Sequence, residues 1–190
     1  MATLIEGCSR LRDKFLLTLL RGTGLRIGEA LGLRHEDVDA RRRLVAVRAR
    51  SNVNAARAKT WSRVVPADVE LFRLYSDYLH EEHGPLDCDY VFVSLWGELI
   101  GEPMSYASVD RLVRRLRKHT GISFSVHLFR HSYATASLRR GVAAEVVQRL
   151  LGHSSVSVTV DTYSHLNIED ARRELAAAGA LSELERAPTS

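Results

Sequence analysis

Four short strings of the sequence contain the residue types that chemistry on a phosphodiester needs. The strings are Thr23–Glu29, a basic turn around Lys59, the run His-Leu-Phe-Arg-His at 127–131, and Leu151-Gly152-His153 followed by Tyr163. Together they supply two arginines, a lysine, histidines and a tyrosine: Arg26, Lys59, His127, Arg130, His153 and Tyr163. This set of side chains is suited to attack on a phosphodiester without a metal ion.

Each residue type answers one requirement of that reaction. A phenol, with a reference pKa of about 10, must lose its proton before it attacks phosphorus. Negative charge then builds on the non-bridging oxygens, where permanently charged guanidinium groups and a histidine donor can stabilise it. The leaving 5′ oxygen needs a proton, which a lysine on a hairpin could deliver. The tyrosyl phosphate keeps the energy of the original bond, so rejoining needs no ATP.

Apolar residues at helical spacing predict most of the elements that must position these side chains. Helices are expected at 10–21, 27–32, 68–79, 109–120, 128–140, 146–151 and 168–181, the last capped by Asn167. Strands are expected at 44–47 and at Val64-Val65, and 90–93 is either a strand or an extended segment. The sequence therefore predicts an α+β fold: a mostly helical domain with a small antiparallel sheet of about three strands.

Composition sets the broad class of the protein. The chain has 190 residues, 45% hydrophobic and 26% charged, which fits one soluble globular domain. The formal net charge is +4 and the pI about 9.3, a mildly basic balance compatible with nucleic acid. Cys8 and Cys88 have no metal-like or disulfide spacing. No signal peptide or membrane-spanning run is visible, so we expect a cytoplasmic protein that does not associate with membranes.

Taken together, the four strings resemble the tyrosine recombinases, also called lambda-type integrases. The resemblance covers roughly residues 10–170, and the order Arg, Lys, His-x-x-Arg, His, Tyr is complete. It implies the catalytic domain of such an enzyme, with the DNA breaking-rejoining fold, over residues 1–185. Residues 186–190 are expected to be a disordered tail, and the family's N-terminal core-binding domain is expected to be absent from this chain.

The resemblance also implies a role for each of the six side chains. Arg26 and Arg130 would hold the scissile phosphate, and His153 would donate to one of its oxygens. Tyr163 would be the nucleophile that forms a 3′-phosphotyrosyl bond. His127 would be a general acid/base near the tyrosine, and Lys59 would protonate the leaving oxygen.

Further residues would support the reaction or the binding of DNA. Glu29 and His131 would support the site, and the basic helix offers Arg111, Arg114, Arg115 and Lys118 as DNA contacts. Double-stranded DNA is the expected partner, bound by a homotetramer that exchanges its C-terminal helix. No cofactor and no metal are expected.

Other interpretations of the same residues remain open. Arg26 could cap a helix or pair with Glu29, and the basic helix could simply be a solvated face. Tyr133 is a rival nucleophile, although its position one turn after Arg130 favours inward packing. His127 and His131 are spaced as metal ligands, but the zinc-protease glutamate does not follow His127.

Two other functions compete with site-specific recombination. A type IB topoisomerase shares the chemistry but acts through one active copy. A DNA-binding module without catalysis would have no need of Tyr163. The string Leu-Gly-His-Ser-Ser at 151–155 favours the recombinase.

Overall fold

The structure is a computed structural model that describes residues 1–56 and 62–152. Within these residues the chain forms seven α-helices and three short strands. The helices are α1 Ala2–Glu6, α2 Leu11–Thr23, α3 Ile27–Leu31, α4 Val69–Tyr78, α5 Tyr106–Thr120, α6 His127–Arg139 and α7 Ala144–Leu151. The strands are β1 Val38–Asp39, β2 Leu44–Val47 and β3 Arg63–Pro66. A 3-10 turn at His35–Asp37 precedes β1, and a π-helical turn at Leu79–His83 extends α4.

The three strands form one antiparallel sheet in the order β1-β2-β3. Val45 on β2 lies opposite Val38 on β1 and Val65 on β3. Val45 and Val65 are buried and Val38 is partly buried, so these positions form the inner face of the sheet. At the end of the β2–β3 ladder, Val47 lies opposite Arg63. Because strand side chains alternate between the two faces, Arg63 points to the same side as the buried Val65.

Helix α2 is the centre of the core. Its apolar residues from Phe15 to Leu20 are buried, and it packs against α4 and α6. Arg12 and Asp13 in its first turn are also buried, so even the charged residues at the start of this helix lie inside the protein. Helix α5 is amphipathic in the ordinary way, with Val109, Leu112, Val113 and Leu116 buried.

The predicted fold class is confirmed, and the predicted helices within the described residues all form. Glycines in the left-handed region end α2, α5 and α7 at Gly24, Gly121 and Gly152. The segment 90–93 is extended and buried, and its pairings with other described residues are two isolated bridges, Arg34 with Tyr90 and Val93 with Pro103. The predicted helix at 168–181 lies outside the described residues.

Candidate active site

The turn between α2 and α3 places Arg26. Gly24 ends α2 with φ +65°, and its N–H donates to the carbonyl of Leu20. A Cβ at Gly24 would lie 2.5 Å from Cδ1 of Tyr133 and 2.8 Å from Cδ2 of Leu151, so only glycine fits here without a shift. The chain therefore turns sharply, and Arg26 becomes the residue that precedes the first turn of α3.

Glu29 fixes the start of α3 from inside the protein. It is only 2% exposed, and its carboxylate accepts the backbone N–H of Arg26 at 2.9 Å. The Arg26 guanidinium also donates to Oε1 of Glu29 at 3.4 Å. Glu29 therefore supports Arg26 through both its backbone and its side chain, and a buried carboxylate needs such donors. The pairing of Arg26 with Glu29 at the start of α3, which was the alternative interpretation of Arg26, is therefore also a contact through which Glu29 can support Arg26.

Arg130 reaches the same place from α6. It lies in the first turn of that helix, and the residue is 8% exposed. Its Nη1 donates to the carbonyl of Gly24 at 2.7 Å, and its Nη2 donates to the carbonyl of Leu151 at 2.8 Å. Both bonds join residues far apart in sequence, so Arg130 links the end of α2 to the end of α7.

The carbonyl of Leu151 brings the two predicted phosphate-binding arginines together. It accepts Nη1 of Arg26 at 3.4 Å as well as Nη2 of Arg130. This carbonyl belongs to the last residue of α7, where the helix dipole is negative and offsets the repulsion between two guanidinium groups. Gly152 then turns the chain with φ +66°, immediately before His153.

A third arginine belongs to this cluster, and the sequence patterns did not reveal it. Arg63 on β3 donates through Nε to the carbonyl of Leu150 at 2.6 Å. Its Nη1 and Nη2 donate to Oε1 and Oε2 of Glu29 at 3.0 and 2.8 Å. The signal that could have revealed it is strand alternation, because a charged residue two positions before the inward Val65 needs a buried partner.

The two histidines of α6 lie at the surface near Arg130. His127 is the first residue of the helix, and both it and His131 are exposed. His127 and Arg130 are three residues apart and so share one face of α6. Within 1–56 and 62–152, no group of three or more metal-ligating side chains is close enough to hold a metal ion.

Tyr133 is placed for packing. Its ring lies against Gly24 and the cluster formed by Ala134, Val147 and Leu151. Burial raises the pKa of the Tyr133 phenol above its ordinary value, although Ser137 and Arg63 act in the opposite direction. A phenol that is harder to ionise is a poorer nucleophile. The structure therefore supports the inward packing that the sequence predicts for Tyr133.

Of the predicted DNA-contact residues of α5, Arg115 lies beside the start of α2, away from the arginine cluster. Arg115 donates to the buried carboxylate of Asp13 at 2.6 Å, in the first turn of α2. Arg111 donates to the hydroxyl of Ser108 at 2.9 Å, and Arg114 and Lys118 are exposed. Asp13 precedes the end of α2 by ten residues, which is about 15 Å along the helix. Lys59, His153 and Tyr163 lie outside the described residues.

A family model described as the phage integrase family matches residues 1–170. The chain belongs to the phage integrase family. The predicted family is thereby confirmed. Within the described residues, no helix of this phage integrase family member is long and apolar enough to cross a membrane.

Named relatives agree with this membership. Transposase A from transposon Tn554 of Staphylococcus aureus is 42% identical over 174 residues, which are 90% of this chain and 48% of that protein. Tyrosine recombinase XerA of Saccharolobus solfataricus is 31% identical over 170 residues, 90% of this chain and 51% of that protein. The chain therefore spans about half the length of these curated relatives.

Solved structures show the same fold. The crystal structure of XerA recombinase matches with a TM-score of 0.75 and 29% identity, covering 99% of this chain and 63% of that one. The Tn1549 transposon integrase, solved in complex with a circular intermediate DNA, matches with a TM-score of 0.69 at 23% identity. That match covers 93% of this chain and 63% of the integrase chain, and it bears on the fold alone.

Proposed function

We propose that this chain carries the catalytic centre of a site-specific DNA recombinase. The observation that supports this most strongly is the convergence of Arg26 and Arg130 on the carbonyl of Leu151, two residues before His153. Two guanidinium groups held side by side, one 28% exposed and the other largely buried, form a cationic site suited to one phosphate. The relatives named as transposase and tyrosine recombinase support the same reaction.

In the proposed reaction, each group keeps the role that the sequence predicts. The Tyr163 oxygen attacks the scissile phosphorus, the P–O5′ bond breaks, and a 3′-phosphotyrosyl bond remains. Arg26, Arg130 and His153 stabilise the charge on the non-bridging oxygens. Lys59 gives its proton to the leaving 5′ oxygen, and His127 accepts the proton of the Tyr163 hydroxyl as the O–P bond forms. Rejoining reverses these steps without ATP.

We further propose that the protein acts on double-stranded DNA as a homotetramer. The relatives named as a transposon's transposase and a tyrosine recombinase support DNA as the partner. Arg111, Arg114 and Lys118 on the exposed face of α5 are candidates for contacts with DNA phosphates. Arg115 is a further candidate, because its side chain is about half exposed while it is paired with Asp13.

A covalent-trapping assay tests the proposed reaction on DNA of unspecified target sequence. A pool of duplexes with random sequence around a nick is incubated with the protein, and the adducts are selected in denaturing detergent. We expect a protease-sensitive DNA band with wild type and none with Tyr163→Phe, which should still bind the selected DNA. An adduct that persists in Tyr163→Phe, or no adduct from either protein on DNA that both bind, would contradict the proposal.

A further inference from the structure

Arg63 is the structural link between the sheet and the two arginines of the candidate site. Its backbone is fixed by the β2–β3 ladder opposite Val47. Within residues 1–56 and 62–152, its guanidinium donates two hydrogen bonds to the Glu29 carboxylate and one to the carbonyl of Leu150. The side chain is 8% exposed and that of Glu29 is 0% exposed, so these bonds form away from water.

The partners of Arg63 are the groups that hold Arg26 and Arg130. Glu29 accepts the backbone N–H and the guanidinium of Arg26. Leu150 immediately precedes Leu151, whose carbonyl accepts both Arg26 and Arg130. A shift of Arg63 would therefore move the support of Arg26 and the last turn of α7 together.

We infer that Arg63 is a positioning residue, which fixes Arg26 and Arg130 at the geometry that phosphate binding requires by holding Glu29 and the end of α7. The inference rests on the proposed function, and it adds a residue outside the predicted set of six. Arg63 acts through these groups on transition-state charge, and it takes no part in protonating the leaving oxygen.

The chemistry of the contact explains why the residue must be arginine. Only a planar guanidinium can donate two parallel bonds to a carboxylate and a third to a carbonyl in a fixed geometry. Lysine keeps the charge but presents a single ammonium group on a flexible stem. Arg63→Lys therefore preserves the charge of the cluster while removing the fixed fork.

The chain contains a matched control for this change. Arg50 donates from both terminal nitrogens to the carboxylate of Asp37, which is 2% exposed. It also donates to the exposed Glu36, and it makes no contact with Arg26, Glu29 or Arg130 among the bonds of the described residues. Arg50→Lys thus disturbs a similar buried ion pair outside the candidate site.

The first experiment measures single-turnover cleavage at saturating DNA. It uses Arg63→Lys, Arg50→Lys and wild type, each below its melting temperature. A misplaced charge-stabilising group costs roughly 100-fold in rate, so we expect that loss for Arg63→Lys. DNA affinity should change by less than about threefold, because most phosphate contacts remain. Cleavage at the wild-type rate by folded Arg63→Lys would overturn the inference.

A second substrate separates charge stabilisation from leaving-group protonation. DNA with sulfur at the bridging 5′ position has a leaving group that needs no proton. We expect it to restore cleavage by Lys59→Ala and to leave the Arg63→Lys defect unchanged. Restoration of Arg63→Lys would overturn the inference, because Arg63 would then serve the step assigned to Lys59.

A third measurement is independent of activity. In ¹⁵N–¹H spectra of the arginine Nε–H groups, Arg26→Lys and Arg130→Lys identify the two signals. We expect both signals to shift or broaden in Arg63→Lys and to stay unchanged in Arg50→Lys. Unchanged signals in Arg63→Lys would overturn the inference, whereas failure of the Tyr163→Phe assay alone would overturn only the proposed function.

Discussion

Each end of helix α2 lies beside a buried carboxylate held by two arginines, but the two clusters use their arginines differently. At the start of the helix, Asp13 accepts Arg12 at 2.9 and 2.6 Å and Arg115 at 2.6 Å. Beyond its end, Glu29 accepts Arg63 and Arg26. The same chemistry of burial and charge occurs in both.

The difference lies in what else the arginines touch. Arg12 donates to the carbonyl of Val93 and lies 4.6 Å from the ring of Trp96, so it joins α2 to an extended segment. Near Glu29, the arginines donate to the carbonyls of Leu150 and Leu151 at the end of α7, which precede His153 by three and two residues. The first cluster joins packed segments of the chain, whereas the second presents cationic groups close in sequence to the predicted reactive residue His153.

Removing either carboxylate should produce the largest loss of stability. Asp13→Ala and Glu29→Ala each leave buried guanidinium groups without their anion, so we expect the free energy of unfolding to fall by about 3–5 kcal/mol. Urea denaturation measures the change. A loss below about 1 kcal/mol in either variant would show that its cluster is not held by the carboxylate.

Milder variants should separate the two clusters by function. Asp13→Asn keeps the shape of the carboxylate and should cleave DNA at the wild-type rate once folded. Arg130→Ala should raise the activation free energy of cleavage by about 3 kcal/mol or more, because a donor to the transition state is lost. Single-turnover rates at saturating DNA test both. Equal rates for the two variants would remove the functional distinction between the clusters.

The glycine between the clusters should have a smaller effect. Gly24→Ala places a Cβ 2.5 Å from the Tyr133 ring at a left-handed position, so we expect a loss of about 1–3 kcal/mol in unfolding free energy. Gly22→Ala is the matched control, since a Cβ there meets nothing within 4 Å. Similar losses in thermal melts of the two variants would argue against the close approach of α2, α6 and α7.

The smallest predicted effect is a pH dependence that belongs to neither cluster. Burial and the nearby His83 lower the pKa of His35, while Asp89 acts in the opposite direction and the Tyr75 hydroxyl lies 2.7 Å from Nδ1. As the pH falls through about 6.5, His35 is protonated in the unfolded chain but still neutral in the folded one. The contribution of His35 to the free energy of unfolding therefore falls as the pH decreases. Melting temperatures from pH 7.5 to 5.5 should fall less steeply in His35→Gln. Equal slopes would show that His35 does not contribute.

The sequence predicted those features that depend on local patterns. The helical spacing of apolar residues predicted α2, α5 and α6, and the glycines that follow them predicted where they end. Helix formation and helix termination both depend on residues that are close in sequence. The strings around Arg26 and Arg130 predicted that these side chains meet, and the described structure brings them to one carbonyl.

The sequence could not predict pairings between distant segments. Arg115 donates to Asp13, 102 positions earlier, and no local pattern indicates this pairing. Arg63 was overlooked because its two partners come from α3 and α7. Arg12 and Asp13 look like surface residues in a helix pattern, and their burial depends on α5 and the segment at 90–93.

The central claim is that Arg26 and Arg130 stabilise charge on the scissile phosphate. A neutral methylphosphonate at the cleaved position removes the charge that these arginines would contact. We expect the Arg130→Ala defect, roughly 100-fold or more on ordinary DNA, to fall below about tenfold on this substrate. A defect of equal size on both substrates would contradict the claim, because Arg130 would then act on something other than the phosphate.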